Sequence, residues 1–174
     1  MTYAIDTFKA NLLGGGARPN LFKVVTTFPF GGDVNRASFL CKAASLPAST
    51  VSPIQMNFRG RQMNVAGDRT FAPWSITIVN DTDFKIRNDF ERWMARLNGH
   101  VSNIGIATPL AYKTDMEVIQ LGKDGRNLQT YVFRGVFPSS VSEIALSYDS
   151  TNAIEEYTVT LEVDYWTNSS SQTG

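Results

Sequence analysis

The sequence predicts a mainly β domain, a sandwich or barrel of about seven or eight antiparallel strands with one helix packed across it. Several short runs alternate apolar and polar residues and are separated by Gly, Pro, Asn and Asp, which is typical of strands joined by turns. Only residues 83–97 carry apolar side chains at helical spacing. At 174 residues the chain has the length of one domain. We divide it into a flexible N-terminal segment (1–16) that ends in three glycines, a single β domain (17–166) and a flexible C-terminal tail (167–174).

Each strand is predicted from its own pattern. Valine, threonine and phenylalanine enrich the first strand, and the last one alternates apolar and polar residues most regularly. Gly67 and Asp68 indicate a turn before the strand that begins at Trp74, and Pro138 indicates where another strand ends. Besides the strand that begins at Trp74, strands are predicted over residues 21–28, 37–44, 54–58, 116–121, 128–137, 144–148 and 157–165.

The helix over residues 83–97 is predicted from an apolar stripe and from signals at both ends. Asn80, Asp81 and Thr82 offer oxygen acceptors for its first free N–H groups, and Asn98 followed by Gly99 is a good C-terminal stop. Its stripe consists of Ile86, Phe90, Trp93, Met94 and Leu97. The core anchors that we predict for the whole domain are Trp74, Phe90, Trp93 and Tyr157.

Residues 46–67 form the segment with the weakest pattern of its own. Pro47 and Pro53 interrupt regular structure, and the alternation of residues 54–58 is broken at Gly60. Because such a strand is weakly specified in register, we predict an extended arm that finds its partner on another chain. The alternative is an ordinary hairpin within one subunit. The predicted interface residues are Leu46, Pro47, Ile54, Gln55, Met56, Asn57, Phe58, Arg59, Arg61, Asp68 and Arg69, of which the last two could instead pair or cap locally.

Composition gives no support for an enzyme, a metal site or a cofactor. The 16 basic residues balance the 16 acidic ones, so no overall field attracts nucleic acid or an anionic membrane. His100 is the only histidine and follows the helix stop, where a surface role is expected. Cys41, the only cysteine, lies in an apolar run and is expected to be a small buried hydrophobe. No run is long enough to span a bilayer, so we expect no membrane anchoring.

The stretch over residues 64–74 resembles a known family. Asn-Val-Ala-Gly-Asp-Arg-Thr-Phe at residues 64–71, followed by Trp74 and then by Asn80 and Asp81, is similar to the tail tube proteins of contractile-tailed bacteriophages of the T4 type. Further similar runs lie at residues 17–22, 41–43, 46–48 and 159–166, so that the resemblance extends from residue 17 to residue 166.

This resemblance implies a structural virion protein of the inner tail tube, assembled in the bacterial host cytoplasm. Six copies would form a ring whose inner wall is a continuous β-barrel, and rings would stack into a tube that conducts the genome into the host. The implied partners are further copies of the chain, the tail sheath protein, the tape measure protein, the baseplate hub and tail terminator proteins, and phage DNA that passes without sequence-specific binding.

Two alternatives remain beside this reading. The first is a tube subunit of a non-phage contractile injection system, such as type VI secretion or an R-type bacteriocin, for which the subunit chemistry would be nearly the same. The second is a monomeric small-molecule-binding β-barrel, which predicts an enclosed pocket. For a DNA conduit we predict a polar lumen that is neutral to negative, because each Lys or Arg contact with phosphate would slow transit.

Overall fold

The computed structural model describes residues 5–12, 14 and 16–170, and over these residues the protein is mainly β with antiparallel pairing, as predicted. The helices are α1 (Ile5–Asn11), α2 (Val34–Leu40), α3 (Lys85–Leu97) and α4 (Pro109–Tyr112). The strands are β1 (Phe22–Val25), β2 (Cys41–Ala44), β3 (Ser49–Phe58), β4 (Arg61–Phe71), β5 (Trp74–Val79), β6 (Thr114–Leu121), β7 (Asn127–Val141), β8 (Glu156–Glu162) and β9 (Tyr165–Asn168).

Seven of these strands form one open sheet in the order β1-β6-β7-β8-β5-β2, with β9 paired beside β7. The long strand β7 holds the two halves together. Its first part pairs with β6 and β9, and its last part, from Phe137 to Val141, pairs with β8. The remaining two strands, β3 and β4, pair only with each other. The fold is therefore an open, bent sheet with a separate hairpin, and not a closed barrel.

The bend in β7 lies at Gly135. Arg134 and Gly135 both stand opposite Asp115 of β6, which makes a β-bulge, and Gly135 has a φ of +66°. A Cβ atom at this position would lie 2.1 Å from Oδ2 of Asp164. Only glycine satisfies both the left-handed backbone and the close approach of Asp164.

We expect Gly135→Ala to lower the free energy of unfolding by about 1–3 kcal/mol, since it combines backbone strain with a steric clash. Chemical denaturation followed by circular dichroism measures the loss. Adding Asp164→Ala to the variant should restore part of the stability by relieving the clash. A glycine substitution without effect would mean that the bulge does not depend on this residue.

The core lies between the halves of the sheet and under α3. Trp74 of β5 stacks on Phe133 of β7 with ring centroids 4.1 Å apart, and its Nε1 donates to the Ser45 carbonyl at 2.9 Å. On the helix, Phe90 and Trp93 both pack against Phe28. All four residues chosen as core anchors are at most 2% exposed, and the largest fully buried side chains are Trp74, Trp93, Tyr157, Phe90, Phe133, Ile76, Ile78, Met116 and Leu161.

The helix prediction was right in its position and wrong in its N-terminal cap. Helix α3 begins at Lys85, after Phe84 in a left-handed conformation with φ of +53°, and the Asp83 carboxylate accepts from the Lys85 N–H at 3.1 Å. Among the predicted capping residues 80–82, Asp81 instead forms an ion pair with Arg36 of α2. Residues 83 and 84 therefore belong to the approach to the helix.

The strand predicted over residues 37–44 is wrong in its first half. Residues up to Leu40 form α2, with the Asp33 carboxylate accepting from the Arg36 N–H at 3.1 Å as its N-cap. Ala37 faces the core, whereas Phe39 is exposed. Helix α1 and the one-turn helix α4 were also not predicted.

Other strand predictions also differ from the structure. Pro138 does not end β7. The β7–β8 pairing is irregular between Pro138 and Ser140, and at such a bulge the missing N–H of proline is tolerated. Residues 144–148 are not a strand and belong to a long loop between β7 and β8. The last predicted strand is divided into β8 and β9, and β9 extends to Asn168 within the predicted tail. Residues 1–4, 13, 15 and 171–174 of the two predicted flexible segments lie outside the described part.

Candidate assembly surfaces

The predicted arm, residues 46–67, forms most of an antiparallel hairpin within one chain. Strands β3 and β4 pair from Ser49–Phe71 at the base to Phe58–Arg61 at the tip. A side-chain hydrogen bond of 2.7 Å from Gln62 to Gln55 supports the pairing. The backbone of this segment therefore finds its partner in its own chain, which corrects the prediction that the partner strand comes from another copy.

The hairpin has one apolar and one polar face. Cross-strand pairs place Ile54 beside Val65 and Met56 beside Met63, with Phe58 next along the same face. These five side chains remain 42–67% exposed. The opposite face carries Gln55, Asn57, Gln62 and Asn64. A two-stranded hairpin with an uncovered apolar face has marginal stability in water. We therefore expect a binding partner to cover this surface.

The base of the hairpin is fixed to the sheet by aromatic contacts. Phe71 packs edge to face on Trp166 at 6.0 Å, and the indole Nε1 of Trp166 donates to the Ala48 carbonyl at 3.4 Å. The predicted residues Leu46 and Pro47 lie in the short connection from β2 to this base. The hairpin thus leaves the body from a fixed root.

The turn predicted at Gly67 and Asp68 is wrong, because both residues lie inside β4. They stand opposite Ser52 in a bulge between the Val51–Arg69 and Pro53–Ala66 pairs. A Cβ atom on Gly67 would lie 2.6 Å from the Ser52 carbonyl oxygen, which explains the glycine. Among the described residues, Asp68 and Arg69 are exposed and make no ion pair with each other.

The body has free sheet edges in addition to the hairpin. In the described part of the chain β1 pairs only with β6, and β2 pairs only with β5. Such edges present unpaired N–H and C=O groups to a neighbour. Both edges and the hairpin are therefore surfaces through which copies could join.

A cluster of ion pairs ties α2 to the start of α3. Arg36 binds the carboxylates of Asp81 and Asp83, and Lys85 binds Asp33 at 3.1 Å. Backbone and side-chain hydrogen bonds lower the pKa of Asp33, and the hydrogen bond from Arg36 lowers the pKa of Asp81, both below the ordinary 3.8. The cluster joins two segments that are far apart in sequence.

We expect Arg36→Gln to lower the thermal midpoint modestly at pH 7 and to have little effect in acid. The lowered pKa values mean that the carboxylates stabilise the fold above their unfolded pKa and that this contribution is lost as the pH falls, between about pH 5 and pH 2. Thermal unfolding of both proteins across this range measures the difference. Arg126→Gln is the control, because the ion pair of Arg126 with Asp124 lies within one turn and joins no distant segments. A difference that persists at low pH would contradict the prediction.

Cys41 and His100 have the surroundings that the sequence predicts for them. Cys41 is buried, and burial raises the pKa of its thiol to about 11, so the thiol is protonated at neutral pH. His100 is exposed after α3. No group of three metal-ligating side chains occurs among the described residues. Within the same residues, no helix has the length and apolar character needed to cross a membrane.

Two large surface hollows are open rather than enclosed. A hollow of about 820 Å³ is bordered by the ion pairs Lys113–Asp164 and Arg134–Asp115, and another of about 550 Å³ lies beside Asp89 and Arg92. The sheet itself is open. This geometry gives no support to the small-molecule-binding barrel.

Comparison with known proteins gives concordant sequence matches. The sequence model of the phage tail tube protein family matches residues 17–169. The tail tube protein gp19 of enterobacteria phage T4 is 37% identical over 162 residues, which make up 92% of this chain and 97% of that protein. The tail tube protein of Serratia phage KSP90 is 25% identical over 152 residues, which make up 85% of this chain and 86% of that protein.

Two solved structures show the same fold. A chain of the sheath–tube complex of the extracellular contractile injection system PVC superposes with a TM-score of 0.64 at 16% identity, covering 92% of this chain and 95% of that one. A chain of the anti-feeding prophage baseplate gives a TM-score of 0.67 at 12% identity, covering 91% and 98%. At these identities the likeness concerns the fold.

Proposed function

Because this chain belongs to the phage tail tube protein family, we propose that its copies join into hexameric rings and that the rings stack into the inner tube of a contractile tail. It is a structural protein of the virion tail. Its task in this proposal is to form a rigid conduit through which the genome leaves the capsid. The match over nearly the whole chain to a tail tube protein at 37% identity carries the proposal.

The open edges support ring formation on physical grounds. Strands β1 and β2 each lack a partner on one side within the described chain. A closed ring removes such edges, which would otherwise invite irregular aggregation. A net charge of zero leaves little long-range repulsion between copies.

The hairpin supports axial stacking. Its five apolar side chains are exposed, and Trp166 fixes its base to the sheet. We propose that the hairpin, including Ile54–Phe58, Arg59, Arg61, Asp68 and Arg69, contacts a copy in the neighbouring ring. Leu46 and Pro47, the predicted interface residues beside the base of the hairpin, would belong to the same interface.

The proposed partners follow from this role. The tube would be enclosed by the tail sheath protein, would contain the tape measure protein during assembly, and would end at the baseplate hub and the tail terminator. DNA would pass without sequence-specific binding, through a polar lumen without unpaired basic residues. A lumen lined by unpaired Arg and Lys would refute this last part.

Electron microscopy of the purified full-length chain tests the proposal. We expect rings at low protein concentration and hollow tubes of uniform width at high concentration. A protein that stays monomeric when concentrated, together with tails whose tube consists of another polypeptide, would overturn it. The non-phage alternative has weaker support, because the similar injection-system structures are only 12–16% identical.

A further inference from the structure

The loop between β7 and β8, residues 142–155, exposes large apolar side chains that the fold does not use. Leu146, Tyr148 and Ile154 are 72–105% exposed. Leu146 and Tyr148 border an open hollow of about 380 Å³. A loop of this length without regular structure is uncommon in a compact domain and usually has a function. Its exposed apolar groups indicate a contact surface.

The charges of the loop and of the β3–β4 hairpin are opposite. The loop carries Glu143, Asp149 and Glu155 and contains neither lysine nor arginine, which gives a net charge of −3. The hairpin carries three arginines, at positions 59, 61 and 69, against Asp68 alone, which gives a net charge of +2. No ion pair joins these arginines to an acid within the described residues.

The loop and the hairpin stand at opposite ends of strand β5. The hairpin precedes Trp74 by two residues, so it leaves the body at the beginning of that strand. The loop meets the other end, where the Asn80 N–H donates to the Glu155 carbonyl at 2.8 Å and the Asn80 side chain binds the Glu155 carboxylate. Six residues of strand separate the two surfaces by about 17 Å. The base of the hairpin and the loop therefore lie at opposite ends of β5 on one copy.

From this placement we propose that the hairpin of one copy docks on the β7–β8 loop of the next copy along the tube axis. The proposal rests on the proposed tube function and names the surface that receives the hairpin. Apolar side chains of the hairpin, with Phe58 nearest the tip, cover Leu146 and Tyr148, while Arg59 and Arg61 approach Glu143 and Asp149. Because the two surfaces differ and lie at opposite ends, each docked copy leaves a free hairpin and a free loop, and the contact repeats without closing.

Charge reversal on each surface tests the docking. Variant A carries Arg59→Glu and Arg61→Glu, and variant B carries Glu143→Lys and Asp149→Lys. Glu155 is left unchanged because it binds Asn80. In A both surfaces are acidic and in B both are basic, so each variant repels itself and attracts the other. We expect A alone and B alone to give rings without tubes, and an equal mixture to give tubes again.

The controls separate this docking from a general charge effect and from the tube function itself. Arg18→Glu with Lys123→Glu changes the charge as much as A but lies outside both surfaces, and it should form tubes alone. Normal tubes from A alone or from B alone would overturn the docking, and so would a mixture that forms only rings. The tube function would still stand in these cases, provided that the wild type forms tubes. Absence of tubes from the wild type would overturn the function.

Circular dichroism first establishes that A and B are folded. Should either reversal misfold, the neutral variants Arg59→Gln with Arg61→Gln and Glu143→Gln with Asp149→Asn take its place. Each is expected to raise the protein concentration needed for tubes roughly tenfold. An unchanged threshold for both neutral variants would overturn the docking.

Discussion

Shortening the β3–β4 hairpin is expected to abolish tube formation and to leave the body folded. In the variant, Asn-Gly replaces residues 55–64 and forms the turn between Ile54 and Val65, which are cross-strand partners. This dipeptide forms the tight turn that two-residue hairpins prefer, so the remaining strands keep their register. The variant loses the outer part of the apolar face and both tip arginines. Negative-stain microscopy should show rings without tubes.

The body should be insensitive to this change because the hairpin shares only its base with the sheet. Among the described residues, strands β3 and β4 have no sheet partner besides each other, and the Phe71–Trp166 contact lies at the retained base. We expect the thermal midpoint of the variant to stay near that of the wild type. A full-length hairpin with Gln55→Ala and Gln62→Ala on the polar face is the control and should still form tubes. Tubes from the shortened variant would exclude the hairpin from stacking.

Trp74→Ala is expected to cost about 3–5 kcal/mol of unfolding free energy. The side chain is 1% exposed and fills the space between the halves of the sheet against Phe133. Its loss leaves a large cavity and an unpaired Ser45 carbonyl. Since domains of this kind are stable by only about 5–15 kcal/mol, the variant should unfold at much lower urea concentration and assemble poorly.

Two further variants show which part of Trp74 matters. Trp74→Phe retains an aromatic ring against Phe133 and loses the N–H donor, so it should cost only about 1–2 kcal/mol. Trp166→Ala removes a partly exposed indole at the hairpin root and should affect tube formation more than unfolding. Equal losses from Trp74→Ala and Trp166→Ala in urea would contradict the central position of Trp74.

Core positions could be predicted from sequence because burial leaves a regular pattern. The alternation of β5 and β8 and the stripe of α3 identify buried residues such as Ile76, Phe90 and Val159 without knowledge of neighbours. Helix α2 could not be predicted in this way, since Phe39 and Cys41 alternate like a strand although Phe39 is exposed. The signal that was missed is Asp33, whose carboxylate caps the N–H three residues later.

The candidate assembly surfaces could be predicted only in part, for a reason that is also physical. Residues 46–67 were recognised as a segment without a place in the core, and the structure leaves its apolar face uncovered. Its pairing within the chain was predicted only as the alternative, because Pro53 and Gly67 indicated breaks, whereas the bulge opposite Ser52 accommodates both. The β7–β8 loop was not predicted as a surface, because its position at the far end of β5 depends on the whole topology.

The burial of Cys41 has a practical consequence for following assembly. Its thiol is buried and protonated at neutral pH, so it offers thiol-specific reagents no nucleophile. A single cysteine introduced at Ser147 or at Asn57 would therefore be the one reactive handle on each copy. Donor and acceptor fluorophores could then be attached at these positions on separate copies. Energy transfer between the labelled copies would follow their association in real time.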